Sequence, residues 1–111
     1  MHSIVEMPSY LRQAQRLRLN EDELDAIKAI IARQPSAGVI IPGSGGARKV
    51  RIRAKGRGKS GGHRVITFFS GVALPVFLLD IYSKSDKANM TRGEVNQLRT
   101  IIDAISQEYM E

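Results

Sequence analysis

The chain has no cysteine, no tryptophan, only three Phe and three Tyr, and two histidines in 111 residues. Without cysteine there is no disulfide framework and no thiolate metal site, a composition suited to a reducing cytoplasm. No stretch approaches the roughly 18 consecutive apolar residues that a membrane-spanning helix needs. The first residues lack a long apolar run and include Glu6, so no signal peptide is expected. These absences predict a soluble cytoplasmic protein that engages no membrane. With 42% hydrophobic and 25% charged residues the composition is that of an ordinary globular protein. A single domain over 1–111 is expected, long enough to bury a modest core without staples.

Acidic residues are missing from one place in particular. Between Gly46 and Arg64 there is no Asp or Glu, while eight of the 17 Lys and Arg fall there: Arg48, Lys49, Arg51, Arg53, Lys55, Arg57, Lys59 and Arg64. The formal net charge is +6, and without those eight side chains nine bases would face 11 acids. All of the excess positive charge therefore sits in one short segment. Concentrated like charge repels itself unless something negative offsets it, so the implied partner is a polyanion. An isoelectric point of about 10.1 is the footprint of nucleic-acid binding. A surface that only kept the protein soluble would mix both signs.

The first half of this segment alternates, with Val50, Ile52 and Ala54 on one side and Lys49, Arg51, Arg53 and Lys55 on the other. That is the period of a half-buried strand with an apolar inner face and a cationic outer one. Lys55 to Gly62 interleaves cations with four glycines and reads as a loop whose backbone can approach a phosphate closely. It is no nucleotide-binding loop. Gly43-Ser44-Gly45-Gly46 lacks the Walker spacing and a following helix, and Gly58-Lys59-Ser60 would need a glycine where Arg53 stands.

The flanking chain supplies the scaffold. Residues 2–6 form a candidate edge strand, and Pro8 opens a short helix to about Arg18 whose apolar stripe is Leu11, Ala14 and Leu17. Asn20, with Glu23 three places on, makes a capping box for a second helix bearing Leu24, Ile27, Ile30 and Ile31 and ending before Pro35. This helical hairpin is expected to cover a sheet. Val39 to Ile41 is either a short strand or a tether. Residues 47–55, 65–69 and 76–82 make three consecutive strands, most simply an antiparallel meander. Thr91, with Glu94 at the third position, caps a final helix whose face carries Val95, Leu98, Ile102, Ile105 and Tyr109.

Conventional catalytic sets are missing. No Ser/His/Asp spacing exists, and neither paired carboxylates nor metal-ligand clusters flank the basic segment, so no cofactor and no metal are expected. His63 lies in that segment, but its cationic neighbours disfavour the imidazolium. What remains is chemistry performed by cations. RNA carries its own nucleophile, the 2′-hydroxyl, which must be aligned with the phosphorus and deprotonated while the phosphorane is neutralised. Arg grips two phosphate oxygens and stays charged, and Lys crowded by positive charge can exchange protons near neutral pH. A pure nucleic-acid binder could use the same patch without chemistry.

The run Gly45-Gly46-Ala47-Arg48-Lys49-Val50-Arg51-Ile52-Arg53-Ala54-Lys55-Gly56-Arg57-Gly58-Lys59-Ser60-Gly61-Gly62-His63-Arg64-Val65-Ile66, followed by Phe77 to Lys84 and a helix from near Thr91, resembles the RelE/HigB family of toxins from type II toxin–antitoxin modules, in its HigB-like branch. The resemblance implies a compact α+β, RelE-like fold and ribosome-dependent cleavage of mRNA in the A site of the small subunit. It also implies neutralisation by a cognate antitoxin, a helix-turn-helix protein. By position, it casts Arg51, Arg53, Lys55, Arg64 and Lys84 as the catalytic cations, with Arg64 stabilising the phosphate and Lys55 favoured over Arg53 as the base. Arg48, Lys49, Arg57, Lys59, His63 and Tyr82 are then expected to contact RNA or ribosome. Some relatives use a further tyrosine, where this chain has Asn89-Met90-Thr91. The alternatives are a gyrase-inhibiting ParE-like toxin and a non-catalytic nucleic-acid-binding relative.

Overall fold

A computed structural model describes residues 2–53 and 62–109. The elements in chain order are β1 (Ile4–Glu6), α1 (Pro8–Arg16), α2 (Glu21–Arg33), β2 (Val39–Ile40), β3 (Arg48–Ile52), β4 (His63–Phe68), β5 (Val76–Ser83) and α3 (Arg92–Tyr109). The five strands form one sheet in the order β1-β5-β4-β3-β2. The expected meander is present as β3, β4 and β5, all antiparallel, and β2 adds antiparallel to β3. β1 is an edge strand, as expected, but runs parallel to β5 and pairs only with Val76 to Leu78. The rest of that edge is left to helices.

Each face of the sheet buries a separate core. On one, Tyr10, Ala14, Ile27 and Ile31 from α1 and α2 pack on Val50, Ile52, Val65, Val76, Leu78 and Ile81. On the other, Leu98, Ile102 and Ile105 of α3 pack on Ala47, Ile66, Phe68, Phe77, Leu79 and Tyr82. The helical hairpin covers the sheet as its amphipathic pattern requires. Two details of that pattern differ from expectation. The buried stripe of α1 is Tyr10–Ala14–Leu17 at i, i+4, i+7, which turns Leu11 outward at 43% exposure. In α2, Ile30 is 47% exposed because it lies on the flank of the stripe centred on Ile27 and Ile31.

The caps form where the sequence places them. Asn20 accepts from the Glu23 amide at 2.8 Å, and the Glu23 carboxylate accepts from the Asn20 amide at 2.9 Å. Thr91 and Glu94 repeat the box at α3, at 3.1 and 2.8 Å. Val39 to Ile41 proves to be both strand and tether, with Val39–Ile40 in β2 and Ile41 opening the turn that leads to β3. Buried Ser44 donates to the Ile41 carbonyl at 2.6 Å and accepts from the Ala47 amide at 2.9 Å, which folds the chain back into β3.

In β5 the pairing steps from Ile66–Asp80 to Thr67–Leu78, leaving Leu79 as an extra residue. This bulge breaks the simple alternation. Leu79 and Tyr82 therefore share the α3-side core, while Leu78 and Ile81 share the other.

Gly38 enters β2 with φ of +96°, and a Cβ there would lie 2.5 Å from the Lys49 carbonyl oxygen. Both the left-handed backbone and the backbone clash oppose any side chain. Gly38→Ala is expected to destabilise the fold by more than about 1 kcal/mol, read as a lower urea midpoint. An unchanged midpoint would show that the β2–β3 pairing is not required.

Candidate functional site

Register brings the basic side chains together. Arg51 of β3 sits directly opposite Arg64 of β4, and Arg64 directly opposite Tyr82 of β5. Directly paired residues project from one face with Cβ atoms roughly 5 Å apart, so these three form a row across the sheet on the α3 side. Arg51 is exposed, while Arg64 and Tyr82 are only 6% and 5% exposed. Cations directly opposed across strands are destabilising in isolation.

The remaining cations cluster at the same end of the sheet or lie elsewhere. Arg53 is exposed just past β3. Lys84, exposed just past β5, donates its amide to the Gly62 carbonyl at 3.2 Å, so it leaves the sheet beside the start of β4. Lys49 is half-buried, and its Nζ lies 3.4 Å from Asn89 Oδ1. Arg48 departs from the group, with its guanidinium donating to the Ser36 carbonyl at 3.1 Å. His63 pairs with Ile52 and Ser83, on the face that α1 and α2 cover. Its pKa is lowered chiefly by burial, with Glu23 and Asp86 acting the other way. The direction matches the sequence reading, but the cause is desolvation rather than crowding by cations. Lys55, Arg57 and Lys59 lie outside the described residues.

A small network holds the row's outer member. Lys87 Nζ lies 4.8 Å from the centroid of the Tyr82 ring and 2.6 Å from Glu94 Oε2, while Glu94 Oε1 caps α3. The same bonds hold the Glu94 carboxyl below its ordinary range. Burial pushes the Tyr82 phenol up, the Arg64 charge opposes that shift, and Asp80 and Glu94 add to it. Among the described residues the buried Tyr82 hydroxyl has no hydrogen-bond partner.

Beyond Tyr82, where β1 no longer covers β5, a cleft of about 450 Å³ opens between α1, β5 and α3. Arg12 and Arg16 line one side, and Asp80, Asp86, Lys87, Glu94 and Gln97 the other. A second hollow of about 260 Å³ lies between the β2 segment, Lys49 and Val95, with Tyr82 and Met90 shared by both. Sequence reading missed this cleft, although one signal was present. Asp80 is the only charged residue in the otherwise apolar and aromatic run 76–82. Burial is the main cause that raises its pKa, opposed by the Ile81 amide and Lys87. Among the described residues no group of three or more His, Asp or Glu comes together as a metal site, and no helix is long and apolar enough to cross a membrane.

A raised carboxyl pKa means that folding favours the protonated form. Asp80 then costs no stability below its ordinary pKa of 3.8, and the cost grows as pH rises from there through the folded-state value. Asp80→Asn is therefore expected to be more stable than the parent at neutral pH, the gain vanishing in acid, as measured by urea unfolding over a pH series. A variant less stable at neutral pH would show that the carboxylate is compensated by its surroundings.

The sheet, its flanking helices and the cationic row can be set against known proteins. The family model for the RelE toxin of the RelE/RelB toxin–antitoxin system matches residues 4–110. Among solved structures, the free-state double arginine-to-alanine mutant of the E. coli toxin RelE superposes with a TM-score of 0.56 at 12% identity, covering 91% of this chain and 96% of that one. At such identity the superposition speaks to the fold, and it agrees with the mixed α+β architecture described above. The family match spans nearly the whole sequence. The chain belongs to the RelE toxin family.

Proposed function

We propose that this chain is the toxin of a type II toxin–antitoxin system and cleaves mRNA on the ribosome. The observation that carries the reading is the cross-strand row of Arg51, Arg64 and Tyr82, with Arg53 and Lys84 at the same end of the sheet. An exposed and a buried arginine at paired strand positions suit a phosphodiester, the first gripping a nonbridging oxygen and the second meeting the charge that grows on phosphorus. The 2′-oxygen bonds to phosphorus as the bond from phosphorus to the 5′-oxygen breaks. The products are a 2′,3′-cyclic phosphate and a 5′-hydroxyl. One group must accept the 2′-hydroxyl proton and another must supply a proton to the leaving oxygen. Lys55 is the base the sequence offers, and Lys84, at the same end of the sheet, is assigned as the acid.

The ribosome enters through what the site lacks. An open sheet end with few aromatic side chains has little means to hold flexible RNA in line for attack. A particle that presents the message in a fixed conformation supplies that alignment, an effect worth several kcal/mol. The antitoxin then acts either by neutralising the cations with an acidic segment, which salt would weaken, or by covering an apolar surface, which salt would not. A gyrase-directed toxin of the same fold would have no need of a phosphate-binding row.

The test is to map transcript 5′ ends in a translation extract with the purified protein. Cuts in phase with codons are expected, requiring ribosomes and falling about 100-fold or more in Arg64→Ala. Because Arg64 is buried, Arg51→Ala serves as the exposed counterpart, with thermal unfolding confirming that both variants fold. Rapid cutting of naked, unstructured RNA would overturn ribosome dependence. Loss of gyrase supercoiling without any RNA cuts would overturn the nuclease reading altogether.

A further inference from the structure

The cleft between α1, β5 and α3 is not needed to bind or break a phosphodiester, yet it adjoins the row through Tyr82. Its volume of about 450 Å³ is within the usual range for a small-molecule site. It also has the parts of a nucleotide subsite. Arg12 and Arg16 are exposed cations on its α1 side, and Tyr82, its ring beside Lys87 Nζ, borders it. The Tyr82 side chain is 95% buried and its hydroxyl lacks a partner among the described residues, an unmet hydrogen-bonding group at the junction. The Asp80 carboxyl lines the cleft and accepts one hydrogen bond, from the Ile81 amide at 2.8 Å. A carboxyl has about four acceptor positions, so most of its capacity remains for a ligand.

We infer that this cleft receives the nucleobase next to the scissile phosphate, and that Asp80 selects a base bearing an exocyclic amino group over uracil. This rests on the nuclease reading and names what its site would recognise. A carboxylate accepts from the exocyclic amino group of cytosine, adenine or guanine, whereas uracil has an oxygen in place of cytosine's amino group and offers only its ring N3–H. Arg12 and Arg16 then lie where the backbone phosphate of the same nucleotide can reach them. Retaining a carboxyl whose burial disfavours its charge is the kind of cost a fold bears at a recognition site. A basic peptide could also use a carboxylate-bearing cleft. The continuity of this one with a row of guanidinium groups favours a polyanion.

Two measurements test the inference. In the first, amide shifts are followed while each of the four ribonucleoside monophosphates is added to the protein. CMP, GMP and AMP are expected to move residues 80–82 and 97–98 more strongly than UMP, and Asp80→Asn to erase the difference. In the second, the base composition flanking mapped cuts is compared for the parent and Asp80→Asn, where discrimination against uracil is expected to relax about tenfold. If the parent cuts RNA but the variant keeps the same profile, the subsite is overturned and the nuclease stands. If the parent cuts nothing while the nucleotide shifts appear, the nuclease reading falls and the cleft remains a nucleotide site. If neither shifts nor cuts appear, both fall. An unchanged profile with weakened antitoxin binding would assign the cleft to a protein partner and overturn the inference.

Discussion

The structure turns on two cations that strand pairing forces to face one another. Arg51 and Arg64 are fixed opposite each other by the register of β3 on β4, and that register cannot slip by one residue. A one-residue shift would take Val50 and Ile52 out of the core and put arginines in their place. The apolar side of the strand thus enforces an arrangement that the charged side would avoid. Packing on both faces of the sheet holds Arg51 and the buried Arg64 at these opposed positions whatever their charges prefer. An anion lying between two such residues is attracted by both, which is what the proposed phosphate site draws on.

Two cores make this possible. The hairpin of α1 and α2 closes one face and α3 the other, and both cores reach the cationic end of the sheet, through Ile52 on one side and Tyr82 on the other. Polar groups then regulate the border. Lys87 bridges the Tyr82 ring and Glu94, which also caps α3, so the helix N-terminus and the row are coupled through one lysine. The β5 bulge at Leu79 brings Tyr82 onto the α3 side beside Arg64, while the short reach of β1 leaves the edge next to Asp80 open. Those two irregularities turn a flat cationic strand into a site with a cleft beside it.

Much of this was legible in the residues. The alternation Lys49-Val50-Arg51-Ile52 specified which side of β3 would be buried, and Asn20/Glu23 and Thr91/Glu94 marked two helix starts, because these are local rules with a single physical solution. The excess of charge in one segment is what the proposed polyanionic partner rests on. The parts that were not legible depend on tertiary placement. Nothing local distinguishes Leu11 from Tyr10 as the inward side chain of α1. The bulge that regroups Leu79 with Tyr82 leaves no mark in the apolar run 76–82. His63 lies among cations in sequence, but the face it occupies is set by its pairing with Ile52. The cleft joins α1 to α3, which are distant in the chain, and only the lone Asp80 hinted at it.

The central claim is that Arg51 and Arg64 act on one phosphate. A double-mutant cycle on cleavage rate tests it most directly, comparing Arg51→Ala, Arg64→Ala and the pair, each confirmed folded. If both groups hold the same anion, the double variant loses much less than the product of the two single losses. Losses that simply multiply would mean that the two arginines serve separate sites, and the account built on their pairing would be wrong.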